Sequence, residues 1–148
     1  MYEQILVGLQ REIEIEGARP SFVDIAVNEL LTAADTRLPR DLLMLLSDRA
    51  RYDDGMFSLI HAAESVDDSS YVRALIAVFP DIVASAPRWA SIVLMRVLNN
   101  QTTQSELVKQ LRDCSSEVKA SVQEMCRRIN EVSPQFLSKT LPVTLAAS

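Results

Sequence analysis

Apolar residues recur three and four positions apart along almost the entire chain, and that spacing leaves room for little but helix. Leu6, Leu9 and Ile13 share one face of the first such segment, and Val23, Val27, Leu30 and Ala34 share one face of the second. Leu42, Leu45 and Leu46 mark a third, Met56, Ile60 and Ala63 a fourth, and Tyr71, Leu75 and Val78 a fifth. Leu94, Val97 and Leu98 mark the sixth, Leu107 and Leu111 the seventh, and Val118, Val122, Met125 and Ile129 the eighth. On an α-helix this rhythm gathers side chains into one stripe, whereas on a strand it would scatter them over both faces. The 148 residues include only three glycines, too few for the many tight turns of an all-β chain.

The punctuation agrees with the periodicity. Pro20, Pro39, Pro87 and Pro134 each fall near an expected helix start, where a missing N–H costs nothing. Asp67, Asp68 and Ser69 offer oxygens to the start of the fifth helix, Ser115 to the eighth, and Ser133 precedes Pro134 as a candidate cap. Thr103 and Glu106 have the spacing of a capping box. Pro80 is expected to end or kink the fifth helix. Helix starts near residues 2, 20, 40, 53, 69, 87, 103 and 116 pair into hairpins offset by about thirty to forty residues. The expected fold is therefore all-α, with about eight helices in antiparallel hairpins, either a HEAT-like α-solenoid or an irregular helical bundle. The expected division is one helical domain over residues 1–140 and a small, apolar C-terminal tail over 141–148.

Several function classes are disfavoured by the totals. Fifteen basic against twenty acidic residues give a net charge of −5, the wrong sign for phosphate recognition, so no direct nucleic-acid binding is expected. An acidic domain is instead suited to a basic protein partner. Cys114 and Cys126 form neither a zinc pattern nor a disulfide framework and are expected as free thiols in a reducing compartment. The first segment, MYEQILVGLQREIEIEG, lacks a basic leader, and no apolar run approaches a membrane span. The expected localisation is cytoplasmic, with no membrane association.

Chemistry is sparse. His61 is the only histidine, inside FSLIHAAES. Ser58 lies three residues before it and Ser65 four after, so a helical Ser–His contact is conceivable, but no Gly-rich turn supplies an oxyanion hole. His61 with Glu64 has the spacing of half a di-iron site, and no second histidine completes it. Three isolated glycines make no phosphate loop. The expectation is no enzyme, no cofactor and no metal.

What remains is docking. Asp54, Phe57, His61, Glu64 and Asp68 fall on or near one side of a helix, with the acidic pairs Asp53–Asp54 and Asp67–Asp68 at its two ends. This is a reasonable surface for a basic protein; the same aspartates also suit the positive ends of helices. In the sixth segment, PRWASIVLMRVLNN, Trp89, Val93, Arg96 and Asn100 align along one stripe of a helix that reads apolar nearly all round. That stripe is either a recognition strip, since Trp and Arg are common interface anchors, or a core Trp beside a structurally paired Arg.

Two stretches, YDDGMFSLIHAAES (52–65) and APRWASIVLMRVLNN (86–100), carry a resemblance. Asp53, Ile60, His61 and Glu64, followed by Pro87, Trp89, Ala90, Arg96, Val97, Leu98 and Asn99, resemble the pattern of the immunity protein 30 family, helical immunity proteins of bacterial polymorphic toxin and contact-dependent growth inhibition systems. The resemblance implies a cytoplasmic antitoxin that binds a cognate toxin C-terminal domain, typically a nuclease with a basic cleft, and occludes it. A non-enzymatic helical adaptor is the alternative. The candidate partner-binding residues are Asp53, Asp54, Phe57, His61, Glu64, Asp67, Asp68, Trp89 and Arg96. Within the resemblance, Glu64 and Arg96 equally suit an internal ion pair.

Overall fold

The computed structural model describes all residues from Met1 to Ser148, and it is all-helical. Its α-helices are α1 (Tyr2–Arg11), α2 (Pro20–Ala33), α3 (Leu38–Leu43), α4 (Asp53–Ala63), α5 (Asp68–Ser85), α6 (Pro87–Leu98), α7 (Gln101–Leu111), α8 (Ser116–Val132) and α9 (Leu137–Ala146). A π-helical turn, Glu12–Glu16, continues α1, and a short 3-10 turn, Pro134–Phe136, leads into α9. The helices gather into two compact units, Met1–Asp67 and Asp68–Ser148.

In the first unit α2 packs on α1 and on α4, and α3 packs on α4. Leu9, Val23, Val27, Leu30, Leu42, Met56 and Ile60 of the stripes read from the sequence are buried there, joined by Leu43 and Leu59, whereas Leu6 and Leu45 are half-buried and Ala34 is exposed. α3 is shorter than its spacing suggested. It ends at Leu43, and bonds from Leu45 N–H to Leu42 O and from Leu46 N–H to Leu43 O tighten the chain into turns that still bury Leu46. Tyr2 Oη donates to Asp41 Oδ2 at 2.7 Å, fixing the start of α1 against α3.

The segment between α1 and α2 is held most closely. Gly17 (φ 82°) and Ala18 (φ 69°) both adopt left-handed backbone as the π turn stops. Tyr52 N–H donates to Gly17 O at 2.9 Å, and a Cβ on Gly17 would stand 2.4 Å from Arg51 Cβ. Gly55, in the first turn of α4, is tighter still: a Cβ there would lie 2.1 Å from Ala18 O. Glu12 clamps the same segment from inside. Its side chain is almost fully buried, and it accepts hydrogen bonds from Arg19 N–H (2.9 Å), Arg19 Nε (3.0 Å) and Arg19 Nη2 (2.7 Å). Those bonds hold the Glu12 carboxyl below its ordinary range against the opposing effect of burial.

In the second unit α5 packs against α6, α7 and α8, while α9 rests on α7 and α8. Of the two outcomes expected at Pro80, an end or a kink, α5 does not end there; the helix runs on to Ser85, with Val78, Phe79 and Ile82 buried on either side of the proline. Burial of both halves outweighs one absent backbone bond. α6 is one-sided rather than apolar all round. Trp89, Ala90, Val93, Leu94, Val97 and Leu98 are its buried face, and Ile92, Met95 and Arg96 are half-buried on its flanks. The cap of α7 is Asn100, whose side chain accepts from Thr103 N–H at 3.2 Å, so Thr103 is a buried helical residue and not the start of a capping box. Ser115 caps α8 by accepting from Val118 N–H.

Residues 141–146, set apart with 147–148 as a tail on sequence, continue α9, with Pro142 inside the helix. Distant polar groups hold that helix down. Gln104 Nε2 donates to Lys139 O, Thr140 Oγ1 to Asn130 Oδ1, and Gln123 Nε2 to Ala147 O. Local sequence carries no trace of these partners.

The glycines make opposite predictions in a urea titration. Gly55→Ala should destabilise the chain by about 3 kcal/mol, because backbone must move to admit the methyl group. Gly8→Ala, in α1 with nothing within 4 Å of the new Cβ, should stabilise it by about 0.5–1 kcal/mol through lower unfolded-state entropy.

Candidate functional site

The outward face of α4 brings most of the sequence candidates of the first unit together. Asp53 and Asp54 occupy its first turn, both exposed. The N-cap is Tyr52, which makes no side-chain cap, so the two carboxylates serve the positive end of the helix without capping it. His61 is exposed two turns further on, its ring centroid 6.4 Å from that of half-buried Phe57, which lies one turn on. Glu64 is half-buried at the C-cap, and Asp67 is exposed just beyond the helix. The inward side of the same helix, from Gly55 through Met56, Leu59, Ile60, Ala62 and Ala63, is buried and keeps the outward set in register.

The candidates of the second unit divide differently. Asp68 Oδ1 accepts a hydrogen bond from Thr103 Oγ1 at 3.2 Å, which ties the start of α5 to the start of α7. Trp89 is fully buried, with the Arg88 guanidinium 5.0 Å from its ring centroid. Val93 is also buried, Arg96 is half-buried, and exposed Asn100 is engaged as the cap of α7. Of the two readings of the α6 stripe, Trp89 therefore follows the core one: its indole has no exposed area to offer a partner.

The serines beside His61 direct their protons elsewhere. Ser58 Oγ donates to Asp24 Oδ1 at 2.6 Å, and Ser65 Oγ donates to Ala62 O at 2.6 Å. Neither hydroxyl is set up as a nucleophile with His61 as base. Both cysteines are free, and burial pushes the Cys126 thiol up to about 11, so it stays protonated at neutral pH. No helix is long and apolar enough to cross a membrane.

One part of the site escaped the sequence. Asp24, Asn28 and Leu31 lie along the flank of α2 that faces α4, and with Ser58, His61 and Ser65 they line an open groove. Their spacing marks one side of a helix, but Ser58 is 34 residues from Asp24, so no local pattern discloses the pairing.

The family model described as Immunity protein 30 matches residues 12–107, from the π turn into α7 and well over half the chain. No curated protein and no solved structure matches the chain significantly.

Core and surface candidates should separate under mutation. Trp89→Ala should cost about 3–5 kcal/mol in chemical denaturation by opening a cavity in the second unit. His61→Ala should change stability by no more than about 0.5 kcal/mol, as expected for an exposed side chain outside the core.

Proposed function

The chain belongs to the Immunity protein 30 family, and from that membership we propose that it neutralises a cognate toxin domain by occluding it, changing no compound itself. The toxin we have in mind is a nuclease with a basic substrate cleft. The observation that carries this reading is the α4 face: Asp53, Asp54 and His61 are exposed together beside Phe57, in a chain of net charge −5. Carboxylates held on a rigid helix can occupy a surface that otherwise receives phosphates. The buried inner side of α4 means that the face needs little reorganisation on binding. Glu64 and Asp67 extend the same face, while Asp68 and Trp89 support the fold and Arg96 stands at the flank of α6. The toxin's substrate sets the compartment, so the protein acts in the cytoplasm of a bacterial cell that receives the toxin through contact-dependent delivery.

Co-expression with the toxin domain encoded immediately upstream tests this. Cells carrying both should grow, and cells carrying the toxin alone should die; continued killing in the presence of this protein would sink the reading. The electrostatic part has its own readout. Changing Asp53, Asp54 and Asp67 together to Asn should slow association with the toxin by roughly tenfold at low salt. The difference should shrink as salt screens long-range attraction. Equal rates for variant and wild type at low salt would remove the steering role.

A further inference from the structure

We infer that the groove between α2 and α4 is a socket for an arginine side chain of the toxin, an inference that rests on the toxin-binding reading above. The groove is open, with a volume of about 380 Å³, and lies wholly within the first unit. Its anchor is Asp24. Oδ1 of Asp24 accepts the Ser58 hydroxyl at 2.6 Å, whereas the Asp54 carbonyl stands at 3.1 Å from the same hydroxyl. A serine has one proton to give, and the shorter, charge-assisted bond takes it. Ser58 thus holds the carboxylate in place from the neighbouring helix and leaves Oδ2 without a partner inside the protein. No lysine or arginine of this chain pairs with Asp24, which is exposed.

The rest of the groove suits the long body of a cationic side chain. Val27 and Ala62 are buried at its base, and Leu31 is 38% exposed along its edge. An arginine stem can lie on that apolar strip while its planar fork reaches the carboxylate. Asn28 supplies a side-chain carbonyl as a second acceptor, and His61 adds an exposed flat ring of the kind on which a guanidinium stacks. Lysine satisfies less of this, since its ammonium is a compact, strongly hydrated charge with no fork. The socket adjoins the α4 face through Ser58 and His61, so one toxin surface can engage both.

The socket can be tested without the toxin, by nitrogen-15 NMR of the full chain titrated with N-acetyl-arginine methylamide. Saturable shifts should concentrate at the amides of Asn28, Leu31, Ser58 and His61. The lysine and norleucine analogues should give weaker or no localised shifts. Asp24→Asn, its dispersed spectrum showing that it still folds, should bind the arginine analogue about tenfold more weakly, the loss expected for one charged hydrogen-bonding partner. Absence of localised shifts, or equal binding by Asp24→Asn, overturns the socket. Co-expression separates the two readings: protection by a wild-type protein that shows no arginine binding overturns only the socket, whereas killing despite the wild-type protein overturns the toxin reading.

Discussion

The backbone of Ala18 lies so close to Gly55 that no side chain fits between them, and the placement of α4 follows from that contact. Two left-handed residues, Gly17 and Ala18, turn the chain at the end of the π turn. Glu12 then holds the turn from beneath with bonds to both the backbone and the guanidinium of Arg19. Charge-assisted bonds of this kind are roughly twice as strong as neutral ones, and here they offset the cost of burying a carboxylate. Tyr52 N–H on Gly17 O adds a backbone link. Together these contacts fix where α4 begins and therefore which of its residues look outward.

Fixing the start of a helix fixes its rotation. With Gly55, Met56, Leu59 and Ile60 turned inward, Asp54, Phe57, Ser58 and His61 can only face the other way or toward α2. The acidic face and the groove are two consequences of this one constraint. Ser58 joins them: it sits on α4 and orients Asp24 on α2. A docking surface built in this way is stiff because its residues stand on packed helices and not on loops.

The residues that carry the family resemblance divide between interior and surface. Ile60, Trp89, Ala90, Val97 and Leu98 are all buried, whereas Asp53, His61, Pro87 and Asn99 are exposed. A close-packed interior restricts side-chain volume and shape more than a solvated surface does. The apolar members of the pattern therefore mark the scaffold, and the exposed ones stand on its surface. Asp24, Asn28 and Leu31, which complete the groove, lie outside that pattern altogether.

The sequence by itself determined the helical class, the starts of α1, α2, α4, α5, α6 and α8 to within a residue, and most of the buried stripe on each, because helix periodicity and caps are local properties. It also placed Asp54, Phe57 and His61 on one side of one helix, again a local consequence of 3.6 residues per turn. Tertiary structure alone decided the rest. Pro80 stays helical because both of its neighbouring turns are buried, α9 is held by Gln104, Gln123 and Asn130 from other helices, and Trp89 belongs to the core instead of a surface strip. The contact of Ala18 with Gly55 and the bond from Ser58 to Asp24 join residues more than thirty positions apart. Such pairings depend on how whole helices pack, and no window of neighbouring residues contains that information.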